Sequence, residues 1–159
     1  MSKKLLALAA LALLPLSVQA ADVPKEGTDS YSNVWVQVSS SDVKLGGDRS
    51  LGVYEIVGSA IGGTLFNNMA MRCVGLYEEA GVPDDTGACT YTDKDGDQIF
   101  QRHTQHSKSE PGHLTFVGGT GKFAGFSGTG EYSIPSVLKP KGDKYLRGIV
   151  AHKVEWKIQ

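Results

Sequence analysis

The run YLRGIVAHKVEWKI, residues 145–158, alternates without interruption. Leu146, Gly148, Val150, His152, Val154, Trp156 and Ile158 share one face; Tyr145, Arg147, Ile149, Ala151, Lys153, Glu155 and Lys157 share the other. A period of two is the strand period, and one largely apolar face against one charged face marks a strand with a buried and a wet side. At ~3.3 Å per residue its length is about 40 Å, which suits a stave of a coiled barrel better than a short sandwich strand. His152 is the polar side chain on the buried face. A core histidine satisfied by a neighbour is the commoner outcome for such a group. A group that touches a ligand inside a barrel is the sharper one.

The rest of the chain also reads as strand. NVWVQVSS sets Val34, Val36 and Val38 against Trp35 and Gln37, and RSLGVYEIVGS, NMAMRCVGLYEE, GACTYT, DQIFQRHTQ, HLTFVGG and GEYSIPS follow at short spacing. Roughly eight such segments separated by Gly, Pro, Asp and Ser predict an all-β sandwich or barrel. SAIGGTLFNNMAMR is ambiguous, and Gly62-Gly63 argues against a helix through it. The polar, aperiodic residues 21–32 read as a loose N-terminal arm, leaving residues 33–159 as the β domain.

Residues 1–20 read as a signal peptide: Lys3 and Lys4, an apolar run from Leu5 to Leu14, then Val18-Gln19-Ala20 before a cleavage at Ala21. The apolar run is shorter than the ~20 residues a membrane span needs. The expected mature protein is exported, periplasmic or extracellular, and has no membrane span. Its formal charge, −1 for the whole chain and lower without the two lysines, gives no basic stripe for nucleic acid. Two cysteines in an exported chain predict one disulfide, Cys73 with Cys89.

GGTGKFAGFSGTGEY, residues 118–132, contains a G-x-G-x-x-A match at Gly119–Ala124. A dinucleotide site would need a helix to start there. The glycines that follow cannot propagate one, and Phe123 stands where a P-loop needs a hydroxyl. Interleaved Phe116, Phe123, Phe126 and Tyr132 argue against a linker, so a turn-and-bend system between two strands remains. FVGGTGKF followed by AG and SGTGEY resembles the allene oxide cyclase and dirigent-like β-barrels, over about residues 113–132. That resemblance implies a single calycin-like, eight-stranded antiparallel barrel with a central cavity. It also implies a trimer in the plant relatives, and cyclase or radical-coupling chemistry without metal or organic cofactor.

TDKDGDQIF invites a calcium reading, but Gln98 and Thr104 stand where an EF-hand needs Gly and Glu, and Asp95-Gly96 is a hairpin turn. His103 and His106 read as a polar loop after a strand, and no metal set is assembled. The leading expectation is a cavity that binds a small, largely apolar or amphipathic molecule. Its candidate lining is Tyr54, Arg72, Tyr91, Phe100, Arg102, Phe116, His152 and Trp156, with Arg72 and Arg102 as partners for an anionic group. The alternative is a cofactor-free cyclase or isomerase using Glu55, Arg102 and His152. A third reading is an interaction module at the cell surface with outward aromatics at Trp35 or Tyr145.

Overall fold

The computed structural model describes residues 23–79, 84–107 and 109–159. The signal-peptide reading of residues 1–20 lies outside them. Eight strands follow one another as β1 (Glu26–Gly46), β2 (Arg49–Ile61), β3 (Ala70–Glu79), β4 (Asp84–Thr92), β5 (Gln98–Gln105), β6 (Gly112–Gly119), β7 (Phe126–Leu138) and β8 (Arg147–Ile158). Each pairs antiparallel with the next, and β8 pairs with β1 to close a barrel. Closure leaves no unpaired edge, which removes the strand-addition hazard of an open sheet.

The loose arm expected at residues 21–32 is corrected here. From Glu26 onward that stretch is β1, with Glu26 opposite Lys157 and Ser32 opposite Ala151. The sequence hides this because the segment is polar: Asp29 and Asn33 point inward beside Tyr31. Asp29 is buried, and its carboxylate accepts backbone N–H bonds from Ser30, Thr64, Leu65 and Phe66. It thereby fixes the connection between β2 and β3, the ambiguous segment of the sequence, as a non-helical loop. That loop drives Phe66, fully buried, into one end of the barrel.

This end is a packed core. Phe66, Phe116, Phe126 and Trp156 form a chain of ring contacts with centroids 5.1–6.3 Å apart. Ile99, Met69 and Phe123 fill the remaining space. Each such burial stabilises by about 1.5–3 kcal/mol. The glycine-rich segment between β6 and β7 crosses the same end through a 3₁₀ turn, Gly121–Phe123. Gly121 has φ +52° and lies so close to the Asp97 carboxylate that a Cβ there would overlap it. The β4–β5 hairpin turn holds the segment: Lys122 Nζ bridges Asp93 and Asp95, and the Lys122 N–H donates to Asp97. The aspartates that resembled a calcium loop thus meet a lysine and backbone N–H groups. Asp93 accepts from the N–H groups of Asp95 and Asp97, which makes the turn itself.

Cys73 and Cys89 are directly opposite on β3 and β4 and form the disulfide, both facing inward. The expected face of β8 is observed: Gly148, His152, Val154, Trp156 and Ile158 are buried and their alternates are not. On β1 the parity is inverted relative to hydropathy. Val34, Val36 and Val38 are exposed, while Asn33, Trp35 and Gln37 face inward.

Candidate functional site

The end opposite Phe66 is hollow. A cavity of about 280 Å³ runs from Asn33, Gln101 and His152 at its floor to Glu78, Gln105, Val137 and Leu146 at its mouth. The floor rests on Tyr31, which stacks on His152 at 4.6 Å and on Phe66 at 4.3 Å. Tyr91 lies beneath it, its hydroxyl accepting from Asn33 Nδ2 at 2.8 Å.

The wall is open because of a pairing rule between neighbouring strands. Trp35 is opposite Gly148, Tyr54 opposite Gly75, Tyr77 opposite Gly52, His103 opposite Gly87 and Tyr132 opposite Gly112. In each pair the ring lies across the glycine, where a Cβ would overlap it. A glycine opposite an aromatic lets the ring lie against the sheet instead of standing across the lumen. The rings line the space rather than fill it.

A polar chain crosses one side. The Tyr54 hydroxyl is 2.9 Å from Asp85 Oδ1 and 2.9 Å from His103 Nε2. The hydroxyl carries one proton for two acceptors, so a second proton comes from a neighbour: His103 as its Nε2–H tautomer, or Asp85 as the acid. Burial raises the Asp85 pKa, only partly offset by His103 and the Tyr54 hydrogen bond. Burial also lowers the His103 pKa against the pull of Asp85. His152 is pushed down to about 4, chiefly by burial, and is neutral at physiological pH. Burial holds the Tyr54 and Tyr132 phenols well above their ordinary range, with Asp85 adding to the effect.

Buried side-chain atoms without a hydrogen-bond partner concentrate here. Among the described residues they are Asn33 Oδ1, Trp35 Nε1, Gln101 Oε1, Tyr132 Oη, His152 Nδ1 and Trp156 Nε1, and all but the last belong to cavity-lining residues. Such groups cost about 1–3 kcal/mol each when left unsatisfied. These atoms are themselves enclosed in the wall, and the space in front of them, apolar with a few polar residues in its lining, is the arrangement expected of a ligand site.

Of the residues proposed from sequence, Tyr54 and His152 line this cavity. The others are corrected. Tyr91, Phe116 and Trp156 are buried in the floor and packed end, because that end of the lumen is filled. Phe100 and Arg102 lie on the outward side of β5, since Ile99, Gln101 and His103 take its inward positions. Arg72 is outside too, its Nε 2.8 Å from Glu55, which removes both from the lumen. Glu55, Arg102 and His152 therefore do not converge. Trp35, which the interaction-module reading would place outside, lines the cavity. The loop reading of His103 is corrected as well: it is a buried residue of β5, opposite Leu114.

No family model and no curated protein matches the sequence. Among solved structures, a pterocarpan synthase dirigent protein superposes with a TM-score of 0.55 at 16% identity, covering 85% of this chain and 93% of its own. A pyocyanin demethylase gives a TM-score of 0.48 at 14% identity, covering 80% of this chain and 99% of its own. The likeness to the former is one of fold: this chain, with eight antiparallel strands closed by β8 against β1, has the fold of the dirigent-like β-barrels.

Proposed function

We propose that this protein is an exported binder of a small, largely apolar molecule, which it takes into the hollow half of the barrel. The observation that carries this reading is the hollow of about 280 Å³, lined by the rings of Trp35, Tyr54, Tyr77 and Tyr132 and by the polar residues Asn33, Gln101, His103 and His152. A ligand with an apolar body and a few hydrogen-bonding groups would match a ring-lined wall interrupted by a few polar side chains. Export agrees with the inward disulfide, and no helix among the described residues is long and apolar enough to cross a membrane.

The test is a thermal-shift screen of the mature chain against neutral, cationic and anionic lipids and phenols. Ligands at a hundred times their Kd should stabilise by about 2.7 kcal/mol. A library without any stabilising compound would remove the proposal.

A cofactor-free isomerase is the second reading, favoured by the Asp85–Tyr54–His103 chain rather than by the residues first considered. Hydrogen-bonded groups whose environments push their pKa values apart can hold and pass a proton. Turnover that is lost in Tyr54→Phe while ligand affinity persists would select it over simple binding.

A further inference from the structure

Charge in the cavity is unbalanced. Among the described residues its lining contains two carboxylates, Glu78 and Asp85, and neither lysine nor arginine. Glu78, at the mouth, is already neutralised, since Arg49 approaches its Oε1 with Nε at 3.2 Å and Nη2 at 2.6 Å. Among the described residues Asp85 has no such partner. Its contacts are the neutral Tyr54 hydroxyl and His103, whose Nε2 is 3.9 Å away and which burial keeps from protonating. Arg72 and Arg102, expected to greet an anionic ligand, face away from the lumen.

We propose that the preferred ligand of this cavity is a compact organic cation, a protonated amine or an N-alkylated heteroaromatic ring, with Asp85 as its counter-ion. The inference rests on the reading that the cavity binds a small molecule. Two features favour a cation together. Asp85, ionised when His103 is the Nε2–H tautomer, supplies a negative charge without a lysine or arginine partner among the described residues, and the rings of Trp35, Tyr54, Tyr77 and Tyr132 present negative faces to the same space. An anionic ligand would lose its hydration and gain a like charge, with no cationic side chain in the lining to compensate.

Fluorescence of Trp35 and calorimetry would be read with three flat probes of similar size: N-methylquinolinium, naphthol and naphthoate. The expected result is that the cation binds at least about tenfold tighter than naphthol, equivalent to ~1.4 kcal/mol, and naphthoate weakest. Asp85→Asn should abolish the cation's advantage and leave naphthol affinity within about twofold. N-methylquinolinium is permanently charged, so its pH response reports the protein. The titratable groups facing Asp85 are Tyr54 from β2, Tyr77 and the Arg49-bound Glu78 from β3, His103 from β5 and Tyr132 from β7.

As pH falls, protonation of Asp85, whose pKa is raised by burial, neutralises the counter-ion, and protonation of His103 or His152 adds like charge, so cation affinity falls while naphthol affinity holds. This titration uses the unaltered protein and stands even if Asp85→Asn does not fold. Equal affinity for naphthol and the cation, or cation binding indifferent to both Asp85→Asn and acid, would overturn the charge preference and leave the cavity reading intact. No binding by any probe, with no stabilising compound in the wider screen, would overturn both.

Discussion

A single methyl group at Gly75 would test the wall of the cavity. Gly75 has ordinary strand geometry, so alanine there brings no backbone strain, and its Cβ would overlap the Tyr54 ring. Gly75→Ala should push that ring into the lumen, cost about 1–3 kcal/mol of stability and weaken binding. Urea midpoints and near-UV circular dichroism would measure both; unchanged values would refute the ring-over-glycine account. His152 gives a pH signature. Its native pKa, about 4, lies below the ordinary 6.5, so between these values the unfolded chain binds the proton and the native state does not. Stability should therefore fall as pH drops through that window, by about 3 kcal/mol from this residue at ~1.36 kcal/mol per pKa unit. Asp85, with its pKa raised, acts in the opposite direction and offsets part of the loss. Denaturant midpoints in His152→Gln should show a flatter acid limb than the parent; an identical limb would place the acid sensitivity elsewhere.

At the level of elements, two contacts hold the ends of the barrel. Residues 26–32 look dispensable in sequence and in fact supply seven of the eleven residue pairs that close β1 against β8. A chain starting at residue 33 loses most of that seam, the Asp29 anchor and the Tyr31 floor together. It should show no cooperative unfolding transition, whereas Asp29→Ala alone should retain one at a cost of at least about 2 kcal/mol, given several N–H donors left without their acceptor. The disulfide ties β3 to β4 across the segment 73–89, and Cys73→Ala with Cys89→Ala should cost roughly 3 kcal/mol on the loop-entropy account. Urea unfolding reads both sets; a truncated chain as stable as the parent would dismiss the seam argument.

For the molecule as a whole, most of the architecture could be read from the residues and most of the site could not. Strand number and the buried face of β8 follow from alternation, because Val154, Trp156 and Ile158 lie in the packed end, where hydropathy tells inside from outside. On β1 and β5 that signal fails. Around the hollow half the inward positions are Asn33, Gln37, Gln101 and His103, while Val34, Val36 and Phe100 point away. A polar lumen beneath a partly apolar exterior reverses the usual parity, so hydropathy alone reads His103 as loop and Arg102 as lining. The pairing of rings with glycines is likewise invisible until register is known, since Gly75 and Tyr54 are distant in sequence and adjacent only across β2 and β3.

The aromatic plug at Phe66 has a consequence for how molecules come and go. With that end filled, the lumen is a blind sac whose entrance is the rim around Glu78, Gln105, Val137 and Leu146. A guest must enter tip first and back out by the same route. On the binding proposal, the part that reaches His152 would be read closely, and whatever trails behind would stay outside. Compounds that share a head and differ in tail length should thus compete for one seat with similar equilibrium constants. Changes at the rim should alter how fast they exchange more than how tightly they are held.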